Sequence, residues 1–196
     1  MNPAQSQNIY DHIWSSEQND LEYFCLIPCD FNSLETVHEQ LEKLSQQSGV
    51  PAHNLSDILL LCDELLTNAM IATASRKNSH LHVIFRVHFE KTRCRIIVFD
   101  YGGGLNLREV IRQIPRGRNR AEYFKNLELY KENTKLTIKK GKADIQHNRF
   151  GKGLKIISNI SDILDISYHD HDGNLQAIIS PFTLGTIVTS YYLYKP

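Results

Sequence analysis

Neither sign of charge is in excess in this chain: 22 lysines and arginines face 22 aspartates and glutamates, for a formal net charge of zero. Such a balance removes any global pull toward nucleic acid or an anionic membrane surface. Cysteine is scarce, at four in 196 residues. Cys25, Cys29, Cys62 and Cys94 lie in apolar or strand-like contexts, which excludes a disulfide framework and fits buried thiols of a reducing compartment. Cys25 and Cys29 have no matching partners at zinc-ligand spacing. No apolar run approaches the length expected of a membrane span, and the polar stretch 1–20 does not read as a secretory signal. A cytoplasmic protein is therefore expected. Internal repeats are absent too. The length suits one domain with a sizeable core, or one domain plus an appendage.

The stretch around which the rest is arranged is Phe99-Asp100-Tyr101-Gly102-Gly103-Gly104-Leu105. Ile96 to Phe99 reads as a buried strand that ends on an acid and three glycines. A carboxylate there, followed by a turn without side-chain bulk, can receive a flat ring that carries a donor, such as the amino group of adenine. Before it, Leu21 to Ile27 reads as a strand stopped by Pro28. A helix with Leu34, Val37, Leu41 and Leu44 follows, with Asp30 or Ser33 as candidate cap and an end near Gly49-Val50-Pro51. A second helix, started by Asn54 or Ser56, carries the stripe Leu55, Ile58, Leu59, Cys62, Leu65, Leu66, Ala69 and Met70. Glu64 and Asn68, four apart, share a face just off that stripe. Leu81, Val83, Phe85, Val87 and Phe89 alternate with His80, His82, Ile84, Arg86 and His88, as in a strand with one core face and one solvated face.

Residues 105–149 carry the asymmetry that the overall balance hides: twelve basic residues against five acids, a local charge of +7. Leu107, Val110, Ile111 and Ile114, then Tyr123, Phe124, Leu127 and Tyr130, suggest two short helices around Pro115. A lid whose cations meet an anionic ligand is one reading and a solvated insertion the other. Gly151-Lys152-Gly153-Leu154 then opens a helix, where exposed backbone N–H groups and the helix dipole suit phosphate. Three strands are expected to close the domain: Ile163 to Tyr168, Leu175 to Ser180 and Thr186 to Tyr194. Residues 1–20, with Ile9, Tyr10, Ile13 and Trp14 at helical spacing, form either a flexible tail or a small docking helix.

Four motifs now stand in order: Asp63-Glu64-Leu65-Leu66-Thr67-Asn68-Ala69, Asp100-Tyr101-Gly102-Gly103-Gly104, Gly151-Lys152-Gly153-Leu154 and Gly185-Thr186-Ile187-Val188. Together they resemble the GHKL (Bergerat-fold) ATPases, and most of all the anti-sigma-factor serine kinases, over residues 21–194. The resemblance implies an α/β two-layer sandwich: a mixed, mostly antiparallel sheet, helices on one face, and an ATP lid over 105–150 within a domain spanning 21–196. It implies ATP and Mg²⁺ as cofactors. Asn68 is then the metal ligand, Glu64 the catalytic base, Asp100 and Thr186 the adenine contacts, Gly102 and Gly104 the room for the base, and Gly151, Lys152, Gly153 and Leu154 the phosphate cradle. The implied partners are an antagonist protein that is phosphorylated on serine and a sigma factor. A homodimer is left open; a membrane or nucleic acid is not expected. The family's first motif often continues to a histidine four residues after the asparagine, and here that position is Ala72. Two further classes stay open: a binding switch without phosphoryl transfer, and a histidine-kinase-type catalytic module.

Overall fold

The computed structural model describes residues 21–104, 136–140, 143–147 and 152–196, with backbone alone at 136–140, at 143–147 and at Lys152, Leu154, Lys155 and Ser158. Its elements in chain order are β1 (Leu21–Pro28), α1 (Ser33–Ser48), α2 (Ala52–Ser75), β2 (His82–Phe89), β3 (Arg93–Phe99), β4 (Leu136–Lys140), β5 (Ala143–His147), α3 (Lys152–Ile160), β6 (Ile163–Asp170), β7 (Leu175–Gln176) and β8 (Thr183–Leu193). Six strands form one sheet in the order β1-β2-β3-β8-β6-β7, and β4 pairs with β5 separately. The expected α+β layering is present. Every described strand pair is antiparallel, however, so the sheet is not mixed. The reason is topological: β3 and β6, joined by the long connection that carries α3, run parallel but have β8 between them, antiparallel to both.

Strand alternation decides what the helices cover. Val83, Phe85, Val87 and Phe89 of β2 and Cys94, Ile96 and Val98 of β3 join Ile58, Leu61, Cys62, Leu65, Leu66 and Met70 of α2 in one core. Val37 and Leu41 of α1 and Ile157 of α3 complete it. Helix α1 ends at Gly49, whose φ of 69° lets its N–H turn back to Gln46 and Ser45 carbonyls. Neither expected cap acts by side chain at its start. The N-cap is Asn32, and Asp30 instead accepts from the Asn32 N–H at 3.1 Å.

Four further expectations are corrected. Helix α2 is long and apolar enough by length and composition to cross a membrane, although no such run was expected. Its apolarity has a local cause, because it packs against α1, α3 and the sheet at once. It begins at Ala52 after Pro51 rather than at Asn54 or Ser56. Asn54 is fully buried and used in tertiary contacts: its Oδ1 accepts from Tyr192 Oη at 2.8 Å and the Lys195 N–H at 2.9 Å. Strand β7 is two residues long, not Leu175 to Ser180. Ser180 is taken by a turn, its N–H donating to Thr183 Oγ1 at 2.8 Å. The outer face of β2 is not solvated at its centre either: Arg86 and His88 are buried, and Arg86 is held by Glu22 of β1. The two helices expected within 105–135 lie outside the described residues, as do residues 1–20 and the side chains of the basic segment.

Candidate functional site

One row of α2 organises the site. Glu64, Asn68, Ala72 and Arg76 recur every four residues and therefore run along one side of the helix. Each meets a glycine from elsewhere in the chain. A Cβ on Gly153 would overlap Glu64 Oε2 and lie 3.2 Å from Asn68 Nδ2. One on Gly102 would lie 2.5 Å from the Ala72 Cβ, and one on Gly103 2.5 Å from the Arg76 guanidinium. The start of α3 and the turn after β3 are thus pressed against the same side of one helix, and the missing side chains permit the approach. Among the described residues, Asn68 Nδ2 is buried without a hydrogen-bond partner. A buried amide donor in that condition is costly unless a ligand or water serves it.

The turn itself is fixed bond by bond. The Asp100 N–H donates to the Thr186 carbonyl at 2.9 Å and the Gly103 N–H to the Leu184 carbonyl at 2.9 Å. The Tyr101 N–H donates to Thr73 Oγ1 of α2 at 3.0 Å, and Asn78 Nδ2 to the Tyr101 carbonyl at 3.1 Å. His169 Nε2 donates to the Asp100 carbonyl at 2.8 Å. Gly103 and Gly104, at φ 75° and 85°, take left-handed angles that other residues rarely adopt. Across the ladder, Gly185 stands opposite His169, and a Cβ there would fall on the Asp100 carbonyl oxygen.

Asp100 points to the helix side of the sheet. Its Oδ1 accepts from the Gly102 N–H at 2.7 Å and the Thr186 N–H at 3.3 Å. Burial pushes its carboxyl up to about 6, against the opposing pull of these N–H groups and the Thr186 hydroxyl. His169, largely buried behind it, is pushed down by desolvation and so favours the neutral ring that donates to Asp100.

No protein-family model matches the sequence, and no curated protein does. The fold does have a likeness among solved structures. A chain in the crystal structure of the SiaB–SiaC complex from Pseudomonas aeruginosa superposes over 90% of this chain and 90% of its own length, with a TM-score of 0.53 and 12% identity. At that identity the likeness is one of fold.

Of the expected site residues, the structure brings Glu64, Asn68 and Gly153 together at one point and Asp100, Gly102 and Thr186 at another. Ala72, one turn past Asn68 on α2, links the two. Gly104 lies beyond them, against Ile179 and Thr183. Gly151 falls outside the described residues. Lys152 and Leu154 are placed only as backbone at the start of α3. Thr73, Asn78 and His169 were not legible as site residues. Each acts by holding the Asp100 turn, and nothing in a lone threonine, asparagine or histidine announces a tertiary hydrogen bond. Ala72 was noted only as a departure from a pattern. The geometry gives it a reason, since a larger side chain there would collide with Gly102.

The donor set fits the cofactors that the motifs imply. Asn68 brings a hard amide oxygen of the kind magnesium takes. Among the described residues no group of three His, Cys, Asp or Glu could hold a metal, so an ion here would depend on Asn68 together with phosphate oxygens. The buried acceptor Asp100 lies beside a glycine turn, and the α3 N-terminus lies beside Asn68, which suits a base at one end and phosphates at the other.

Proposed function

We propose that this chain is a cytoplasmic GHKL-type regulator that binds ATP–Mg²⁺ and phosphorylates or sequesters a protein partner. The convergence of Glu64 and Asn68 on Gly153, in line along α2 with the Asp100 turn, carries this reading. Asp100 and Thr186 accept and frame the adenine. The backbone N–H groups at Gly151 and Gly153 hold phosphate oxygens, and Lys152 adds a cation. Asn68 ligates the metal. Bound Mg²⁺–ATP supplies the transferable phosphoryl group and the charge that neutralises its transfer. Glu64 takes the proton from an incoming serine hydroxyl as that oxygen bonds to phosphorus and the bond to the diphosphate leaving group breaks.

A protein partner suits the surface beside the site, where Ile178 and Phe182 are 57% and 74% exposed. The fold neighbour comes from a complex of two proteins. The partners proposed are those of the anti-sigma kinases, an antagonist and a sigma factor. The deciding experiment is thermal denaturation with ATP and with GTP, each with Mg²⁺. A ligand specific to the folded state at a hundredfold excess over its dissociation constant stabilises it by about 2.7 kcal/mol. ATP should raise the melting temperature well above GTP, and Asp100→Asn should erase the difference. Equal shifts in wild type and mutant would remove the adenine assignment.

A further inference from the structure

The outer face of the sheet is buried at its centre although the helices all pack on the other face. Register puts Arg86 opposite Ile97, His88 opposite Arg95, and Phe99 opposite Ile187 on this outer face. Arg86, His88, Ile97, Phe99 and Ile187 are each 3% exposed or less. A sheet face left to water does not bury its central side chains so completely. The buried strip crosses β2, β3 and β8, whose spacing makes it about 10 Å wide. That is the diameter of one helix. The margins stay open: Leu26 on β1 is 57% exposed, Ile163 on β6 54% and Leu193 on β8 45%.

We propose that residues 1–20 of this same chain dock along this strip. Three observations point to that segment. First, the chain enters at the right place. Leu21 pairs with Phe89 at the end of β2, and Glu22, the next residue, already reaches over this face to Arg86 and His88. Second, charge is complementary. Residues 1–20 hold Asp11, Glu17 and Asp20 with no lysine or arginine. The face holds Arg86, His88 and Arg95, and Arg95 Nε is buried with no hydrogen-bond partner among the described residues, a Glu90 oxygen standing 4.0 Å away. Third, Ile9, Tyr10, Ile13 and Trp14 supply one apolar side for Ile97, Phe99 and Ile187. The strip from Arg95 to Phe99 is about 13 Å long at strand rise, and residues 9–20 reach that far even at the helical rise, about 18 Å.

The docked segment backs the strand ends that carry Asp100 and Thr186, so it ties the N-terminus to the candidate site. Trp14 is the one tryptophan of the chain, which makes its fluorescence a specific reporter in the full-length protein. Acrylamide should quench it several-fold less in the native protein than in denaturant, equally over a hundredfold dilution. Ile13→Asp, and separately Arg95→Glu, should each raise quenching toward the denatured level with the far-ultraviolet circular dichroism of the fold kept. Ile13→Asp changes no residue of the described core, so a folding failure of Arg95→Glu leaves the test intact. Native quenching equal to the denatured value overturns the proposal. So does protection lost on dilution, which assigns the strip to a second copy, or protection unchanged in folded Ile13→Asp, which places Trp14 elsewhere.

Discussion

Asp100 sits in an environment that makes its protonation a stability term. Its folded value, about 6, lies above the ordinary 3.8 because burial outweighs the N–H groups that stabilise the carboxylate. The native state therefore holds a proton that the unfolded chain releases between those values. Stability from this group is full below the ordinary value and is lost as pH rises through about 6, a swing on the order of 3 kcal/mol. Chemical denaturation of wild type and Asp100→Asn at several pH values should show it as a difference that shrinks toward pH 7. ATP affinity should move the opposite way, weakening as pH falls below 6, since the protonated acid is a poorer acceptor for the adenine amino group. Gly185 offers a sharper steric test. A Cβ there meets backbone, not a yielding side chain, so Gly185→Ala should cost at least the 1–3 kcal/mol usual for overpacking. It should also abolish any ATP-dependent rise in melting temperature, because the carbonyl it displaces belongs to Asp100.

Helix α2 carries both jobs of the domain on different sides, with the core stripe on one and the row Glu64, Asn68, Ala72 and Arg76 on another. Helical periodicity was enough to read the stripe and to place Glu64 with Asn68. It could not say what lay opposite, because facing partners come from residues about 30 to 90 positions away. Ala72→His, which restores the residue type common in the resembling family, should test that packing. A Cβ built on Gly102 would lie 2.5 Å from the Ala72 Cβ, so the turn is packed closely against this position and an imidazole there would press on it. The substitution should lower the melting temperature and shift the Tyr101 to Gly104 amides in a nuclear magnetic resonance spectrum, while the distant β1–β2 amides stay in place. At the first turn, Asn54 looks by type like a cap. The C-terminal strand instead claims it through Tyr192 and Lys195. Asn54→Ala should cost about 1–3 kcal/mol by leaving buried partners unpaired, measured by denaturant unfolding, more than an exposed cap would.

For the molecule as a whole, the question is whether the proposed site transfers phosphate or only senses nucleotide. Glu64→Gln keeps size and hydrogen bonding but removes the basic oxygen. If the protein is a kinase, this variant should bind ATP with unchanged calorimetric affinity and lose labelling of a serine on the antagonist by about two orders of magnitude or more, the usual worth of general-base catalysis. If wild type labels no candidate antagonist while ATP changes partner affinity, the chain is a switch. Asn68→Ala separates metal from nucleotide. The fold should survive, since the residue is off the apolar stripe, and the Mg²⁺ dependence of ATP binding should disappear in a titration. An unchanged dependence would take Asn68 out of the site.

The layered α+β class came with the resemblance of the four motifs, whereas local pattern determined the core stripe of α2, the core face of β2 and the order of the glycine motifs. Each follows from periodicity or from turn chemistry within a few residues. Contacts between distant segments decided the rest. The sheet is wholly antiparallel because of how β8 and β6 fold back beside β3. Strand β7 is short because Ser180 spends its hydrogen bonds in a turn. Arg86 and His88, polar by sequence, are buried because Glu22 of a neighbouring strand meets them. The roles of Thr73 and His169 rest on where the Asp100 turn is held: Thr73 meets Tyr101, 28 residues away, and His169 meets Asp100, 69 residues away. No spacing rule reaches that far, because side-chain hydrogen bonds of this kind are fixed by how the layers pack and not by the helix or strand that carries them.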